Sequence, residues 1–511
     1  MQGNSDRDPE LLDASAMVGH LVPEGSVYAF LAEHRRRLFP GEMFKDLFPT
    51  GRGRPSVPAD VVATVMLLQS LEGLSDRDAI VALRTDLRWK VAAGLALGDE
   101  GFHPTVLTLW RNKLRNSDQP QRIFGAVRQV VAETGVLKGK TRRALDSTLL
   151  DDAVATQDTV TQLVSMIRRV RAAVLAAAEV EVSAHDYAAG GKPACAWNDP
   201  AARDELVTGL VTDARAILDR LDGLVLDEDQ TQLVALLALV AGQDVEPDPE
   251  RGEGAWRIAR RVAKDRLIST VDPETRHMHK SRSVYRDGYK AHVAVEPDTG
   301  IITACDLTPA NTGDGPAGVA LLAGEDPGLD VLADSAYGSG QVRHDLDAAT
   351  HTAVIKPWPL ARNPKLGSDQ FVRDQFRIDY EARTVTCPEG RTVPISPGGA
   401  AGFGPRCRGC PARSRCTSAV DGKTFKVTDH DQLLAAARAG WSEGIGVEDY
   451  RQHRPMVERS IAWLVANNNR RVRYRGVERN RIGLSTRVAA VNLRRLLNLG
   501  LHHGPTGWAT T

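Results

Sequence analysis

The chain reads as an α/β protein. It has a mixed sheet flanked by helices, split by a large helical insertion and a small cysteine-containing one, and preceded by an all-helical N-terminal domain. Three observations predict this. Strand-like segments alternate with helical ones from residue 142 onward, which is the pattern of a sheet covered by helices. Helical periodicity dominates residues 20–135 and again much of 158–270. At 511 residues the chain also exceeds what one hydrophobic core supports.

The elements follow in order. In "SVPADVVATVMLLQSLEGLSDRDAIVALRTDLRWKVAAGL" apolar residues recur at helical spacing, Ser75 with Asp78 forms a capping box, and Gly73 and Gly94 mark breaks. "HPTVLTLWRNKLR" (103–115) starts a helix near its Pro and sets Arg111, Lys113 and Arg115 beside Trp110. Short helices ending in a basic one suit a DNA-reading helix-turn-helix as well as a plain bundle with a charged rim. "RRALDSTLLDD" (142–152) is a buried strand. The helical segments 158–182 and 202–224 come next, separated and closed by looser stretches. Residues 289–295 and 301–307 flank "EPDTG", a hairpin signal. A helix at 315–324, strands at 329–335 and 352–357, and a helix at 454–468 with Pro455 near its start complete the core. The resulting domains are 1–135, helical and DNA-binding; 136–157, the first part of the core; 158–270, the helical insertion; 271–358, the core continued; 359–430, the four-cysteine insertion; and 431–511, the final core helix and basic C-terminal helices.

Composition narrows the function classes. The longest apolar stretch, "LVALLALVAG" (233–242), is too short to span a bilayer, and "MQGNSDRDPELLD" lacks the basic-then-apolar layout of a leader. A cytoplasmic, nucleoid-associated protein is expected. Net charge is zero, yet residues 451–511 hold twelve Arg, no Lys, two Glu and no Asp, which is 12 − 2 = +10. An arginine-rich end on a neutral chain suggests a phosphate-facing surface, and a solvated helical tail is the plainer reading.

Six cysteines in so long a chain do not make a disulfide framework. Four cluster: Cys387 in "TCPEG", and Cys407, Cys410 and Cys416 in "CRGCPARSRC". Cys407-x-x-Cys410 is a zinc half-site that Cys387 and Cys416 complete to four thiolates, leaving no open position. A segment as short and as poor in apolar residues as 387–416 would take its order from such a metal. Unliganded thiols and a redox switch are the alternatives. Cys195 and Cys305 read as ordinary residues.

Three acids sit where this layout brings strand ends and a late helix together: Asp146 in "LDST", Asp334 in "VLADSAYGSG" and Glu458 in "RPMVERS". Three carboxylates at one point repel and need cations, and oxygen donors suit Mg²⁺ or Mn²⁺. Spacing alone does not pick these three from 65 acids. The ordered set "RRALDST", "DGYKAHVAVEPDTGIITACDLTPANTGD", "LADSAYGS", "RPMVERSIAWL", "YRGVERNR" and "VAAVNLRRLL" resembles the DDE transposases of bacterial insertion sequences, which have a ribonuclease-H-like core. "GRPSVPADVVATVMLLQSLEGLSDRDA" resembles their helical DNA-binding region. The resemblance spans roughly residues 40–500.

The resemblance implies that Asp146, Asp334 and Glu458 are catalytic and hold two Mg²⁺ or Mn²⁺ ions. It implies hydrolysis at transposon ends that frees a 3′-OH, and attack of that 3′-OH on target DNA. The partner is then double-stranded DNA, both the terminal inverted repeats and the target, with a homodimer or larger assembly on it and no membrane. Relatives carry a Tyr and an Arg before the Glu and a Lys two turns after it. Here Tyr450 and Arg454 precede Glu458, but the Lys position is Val465, and Arg470 and Arg471 stand in at a phosphate. Arg473 and Arg475 extend the same DNA-facing set. Lys290 and His292 alternate on one face of the hairpin strand, either an ordinary sheet face or one turned toward the site, and Asp314 in "NTGD" reads as a supporting acid or a turn former. A non-catalytic DNA-binding relic that represses the element, and a metal-dependent nuclease of the same fold, are the competing functions.

Overall fold

The computed structural model describes residues 1–5, 12–50, 52–261, 263–279 and 283–511. Part of the acidic N-terminal stretch (6–11) lies outside the described residues.

After a short helical turn at Ala14–Val18 come α1 (Val27–Leu38), α2 (Ala59–Glu72), α3 (Asp76–Thr85), α4 (Leu87–Ala93), α5 (Thr105–Arg115) and α6 (Arg122–Thr134). α2 is apolar on nearly every side and buried along most of its length, so it is a core helix rather than a surface one. It stops at Gly73, whose φ of +71° suits the left-handed C-cap. The Ser75 hydroxyl then starts α3 by accepting from the Asp78 N–H at 3.1 Å.

Strand β1 (Arg142–Asp151) follows, and then the insertion. Its helices α7 (Thr159–Ala173), α8 (Pro200–Leu221) and α9 (Glu228–Gln243) each begin at an Asp cap, Asp158, Asp199 and Asp227. They bury their own apolar cluster around Leu163, Ile167, Leu210, Ile217 and Leu237.

The sheet is completed by β2 (Arg276–His279), β3 (Tyr285–Glu296), β4 (Ile301–Pro309), β5 (Asp330–Ala333) and β6 (Thr352–Ile355), with helices α10 (Asp314–Leu321) and α11 (Gly340–Ala348) between them. Its order is β4-β3-β1-β5-β6, and β2 pairs the first residues of β3. β4, β3 and β1 are antiparallel neighbours, while β5 and β6 run parallel to β1. "EPDTG" closes the β3–β4 hairpin, with Gly300 at φ +73°.

The cysteine segment is a set of short strands, β7 (Arg377–Asp379), β8 (Thr384–Thr386), β9 (Thr392–Pro394), β10 (Ala400–Gly402) and β11 (Thr424–Lys426). The segment has an apolar core drawn partly from outside the 387–416 stretch. Phe376, Phe403 and Phe425 pack together with Val385 and Val393, and Phe376 and Phe425 lie outside that stretch.

Helices α12 (Asp431–Ser442), α13 (Val447–His453), α14 (Pro455–Val465) and α15 (Val477–Asn498) end the core. α15 packs against β4, α2, α5 and α6. Leu484, Val488 and Leu493 of α15 therefore share one core with Leu67 and Leu68 of α2 and with Val293 and Ile302 of the sheet. Among the described residues no helix is long and apolar enough to cross a membrane.

Candidate active site

β1 and β5 pair from Arg142 opposite Asp330 to Ala144 opposite Leu332. Continuing that parallel register by two residues sets Asp334, just past the end of β5, level with Asp146. Burial raises the Asp146 carboxyl above the ordinary Asp range; Arg454 opposes this shift and the charge of Asp334 adds to it. Asp334 itself caps the turn that follows, accepting from the Ala336 N–H at 2.9 Å.

The third acid arrives on α14, which packs across β1 and β3. Pro455 occupies its first turn and sets Glu458 at the same helix end. The buried Arg454 guanidinium joins the acids: Nη2 lies 3.0 Å from Asp146 Oδ2 and Nη1 3.4 Å from Glu458 Oε1. Tyr450, on α13, packs edge-on against Trp441 at 5.3 Å. Burial raises its hydroxyl pKa, and Asp334, Glu458 and Asp146 all push it further in the same direction. One tyrosine thus senses all three acids.

Strand alternation turns Ser147 to the opposite face from Asp146. His292 is the register partner of Ser147, so Lys290 and His292 face away from Asp146, against the reading that turns them toward the acids. They converge instead on Asp314 at the start of α10. Its Oδ1 accepts from Ser147 Oγ at 2.8 Å and pairs with Lys290 Nζ at 3.1 Å. Lys290 also donates to the Thr312 carbonyl at 2.7 Å. His292 is fully buried, which holds its pKa well below the usual value, and its Nε2 meets Thr308 Oγ1 at 2.9 Å. Burial raises the Tyr337 hydroxyl, and Asp314, Asp146 and Asp334 act with it. Ser147 and Tyr337 are site neighbours that sequence reasoning missed; their only signal was adjacency to Asp146 and Asp334.

The expected DNA-facing residues divide. Arg111 is held by Asp76 and stacks over Tyr474 at 4.8 Å, and Lys113 donates to the Leu47 carbonyl at 2.7 Å over the Phe48 ring. Arg115 donates to Asn116 Oδ1 at 3.2 Å. Arg470 donates to the Leu149 carbonyl at 3.1 Å and Arg471 to that of Asp152 at 3.0 Å, holding the end of β1. Arg473 donates to Asn469 at 3.3 Å, whereas Arg475 is exposed with no ion pair among the described residues. With Arg454, Arg481 on Asp306, Arg487 on the Asn469 carbonyl and Arg495 on that of Thr299, seven of the twelve tail arginines serve the protein's own groups. Five of the twelve, Arg451, Arg459, Arg475, Arg479 and Arg494, have no such partner among the described residues.

Cys387, Cys407, Cys410 and Cys416 line one cavity of about 20 Å³, and none is in a disulfide. Burial raises the Cys416 thiol, and the other three thiols add to the shift. Cys305 lies in β4, where burial pushes its thiol up to about 12. Among the described residues no three His, Cys, Asp or Glu stand close enough to hold a metal ion as placed. The acids and the thiols are neighbours rather than closed coordination shells.

Comparison with known families adds the chemistry's context. Residues 261–493 match the Transposase DDE domain, which takes in Asp334 and Glu458, while Asp146 lies before the matched stretch. Residues 18–113 match a second Transposase domain (DUF772). No curated protein and no solved structure matches the chain. With a helical transposase domain followed by a DDE domain, the chain belongs to the insertion-sequence DDE transposases.

Proposed function

We propose that this chain cuts the ends of its element and joins the freed 3′-OH to target DNA, with Asp146, Asp334 and Glu458 as the catalytic acids. The observation that carries the reading is the β1–β5 register, which continues to set Asp334 level with Asp146, together with Arg454 bridging Asp146 and Glu458. The strand order, three antiparallel strands continued by two parallel ones, supports a ribonuclease-H-like core.

The donor set fits divalent cations: Arg454 pairs with Asp146 and Glu458 while Asp334 has no cation partner among the described residues, so negative charge exceeds positive in a partly buried site. Asp146, Asp334 and Glu458 would hold Mg²⁺ or Mn²⁺, two ions per site, which would supply Lewis acidity to the attacking and leaving oxygens. Arg454 opposes the burial-driven rise of the Asp146 carboxyl and aims it. Tyr450 lies within the acids' field, where its ring and hydroxyl can orient a scissile phosphate. Cys387, Cys407, Cys410 and Cys416 would hold a structural Zn²⁺.

The test is a supercoiled plasmid carrying the gene's flanking DNA, incubated with wild type and with Asp334→Asn, in Mg²⁺ or EDTA, with 3′ ends mapped. Mg²⁺-dependent cuts at terminal repeats, lost in a variant that still binds the DNA, are expected. Binding without cutting by the wild type in Mg²⁺ and in Mn²⁺ would leave a DNA-binding relic. Cutting without joining would leave a nuclease.

A further inference from the structure

The segment joining the helical insertion to β3 is basic in a chain of zero net charge. Residues 257–286 hold nine Lys or Arg against Asp265, Asp272 and Glu274, which is 9 − 3 = +6. Two parts of it are exposed.

The first part is the run 260–264. Arg260, Arg261 and Lys264 are exposed and have no ion pair or hydrogen bond among the described residues. Their position is fixed by the next residue. Asp265, in the left-handed region at φ +59°, accepts from Asn311 Nδ2 at 2.7 Å. Asn311 belongs to the turn that leads into Asp314, and Asp314 holds Ser147, the neighbour of Asp146. Asp265, next to these cations, is thus tied through Asn311 and the Asp314 turn to the Ser147 face of β1, opposite Asp146.

The second part is the β2–β3 hairpin. β3 pairs Gly288 with Asp151, the last residue of β1, so residues 285–287 and their β2 partners project past the end toward which β1 and β5 run. Arg286 is anchored there on Asp151 at 2.5 Å, and Asp287 takes Thr156 and His277. The exposed rings of His277, His279 and Tyr285 stack on this projection, with His277 and Tyr285 at 5.3 Å and 20°. Cations interleaved with aromatic rings suit a phosphate backbone and the sugars and bases beside it.

We propose that Arg260, Arg261 and Lys264, with His277, His279 and Tyr285 on the described strands of the β2–β3 hairpin, form a surface that grips duplex DNA, the cations neutralising phosphates and the rings lying along the strand. The proposal rests on the transposase reading above. The test compares the full-length wild type with the triple variant Arg260→Ala, Arg261→Ala, Lys264→Ala on a plain duplex across a salt titration. Each lost phosphate contact lowers the slope of log K against log salt by about 0.9, so three lower it by roughly 2.7. A photo-cross-linking residue at position 285 gives a second readout that does not depend on the triple variant folding. A reduced slope, or cross-links to the duplex from position 285, supports the proposal. An unchanged slope and affinity with no cross-link overturns it and leaves the transposase reading intact, because the wild type still binds. A wild type that binds no duplex overturns both.

Discussion

Replacing Asp334 by Asn separates what the acids cost from what they do. Asn keeps the cap on the Ala336 N–H, so the turn after β5 is preserved. It removes one of two carboxylates placed level on adjacent strands, about 5 Å apart. At that distance, with an effective dielectric constant of about 20, their repulsion is roughly 3 kcal/mol. Arg454 and the partial exposure of Asp334 reduce the net gain to about 1–2 kcal/mol. In EDTA, Asp334→Asn therefore melts above the wild type. Mg²⁺ reverses the order, since an ion at a hundredfold excess over its dissociation constant stabilises a competent site by about 2.7 kcal/mol, and the variant forfeits most of that. Scanning calorimetry of both proteins in EDTA and in Mg²⁺ reads the crossover. A variant that melts below the wild type in EDTA, or an equal gain from Mg²⁺ in both, refutes the idea that these acids share a cation.

Three further outcomes follow from the same geometry. Arg454→Met leaves the buried Asp146 carboxylate without its cation and costs about 3–5 kcal/mol in denaturant titrations, a loss that Asp146→Asn in the same chain largely relieves. Lys290→Met and Asp314→Asn, singly and together, give a coupling of about 1–3 kcal/mol in a double-mutant cycle, whereas additive losses would show that the pair does not brace Ser147. Because the Asp146 carboxyl is raised above its unfolded value, the folded chain binds more protons than the unfolded one just above the usual Asp range. Metal-free stability therefore rises as pH falls through that window, and Asp146→Asn flattens the slope.

Much of the fold was legible because local signals carry it. The Ser75 cap, the "EPDTG" hairpin and the Pro455 helix start each depend on residues only a few positions apart. The two faces of β3 were not legible in their aim. Alternation put Lys290 and His292 together, but only the register with β1 shows that they look away from Asp146. The internal partners of the tail arginines were not legible for a related reason: a charge count cannot foresee that Arg471 finds the Asp152 carbonyl 319 residues earlier. The three acids were chosen by resemblance rather than spacing, and their meeting depends on a sheet whose neighbours are far apart in sequence. The β2–β3 projection was missed because its residues face solvent and carry no apolar alternation.

The cap at the end of α2 has a mechanical consequence. A side chain at Gly73 would strike the Asn467 carbonyl, and Asn467 and Asn469 donate to the Leu71 and Ser70 carbonyls at 3.0 Å. Those asparagines belong to the loop that leaves the Glu458 helix and leads into the Arg470 and Arg471 clamp on β1. The N-terminal helices are thus bolted to the segment that sets the third acid, rather than hung from a tether. A load applied to α2 thus reaches the Glu458 helix and β1 through two amide side chains as well as through the core that α15 shares with α2.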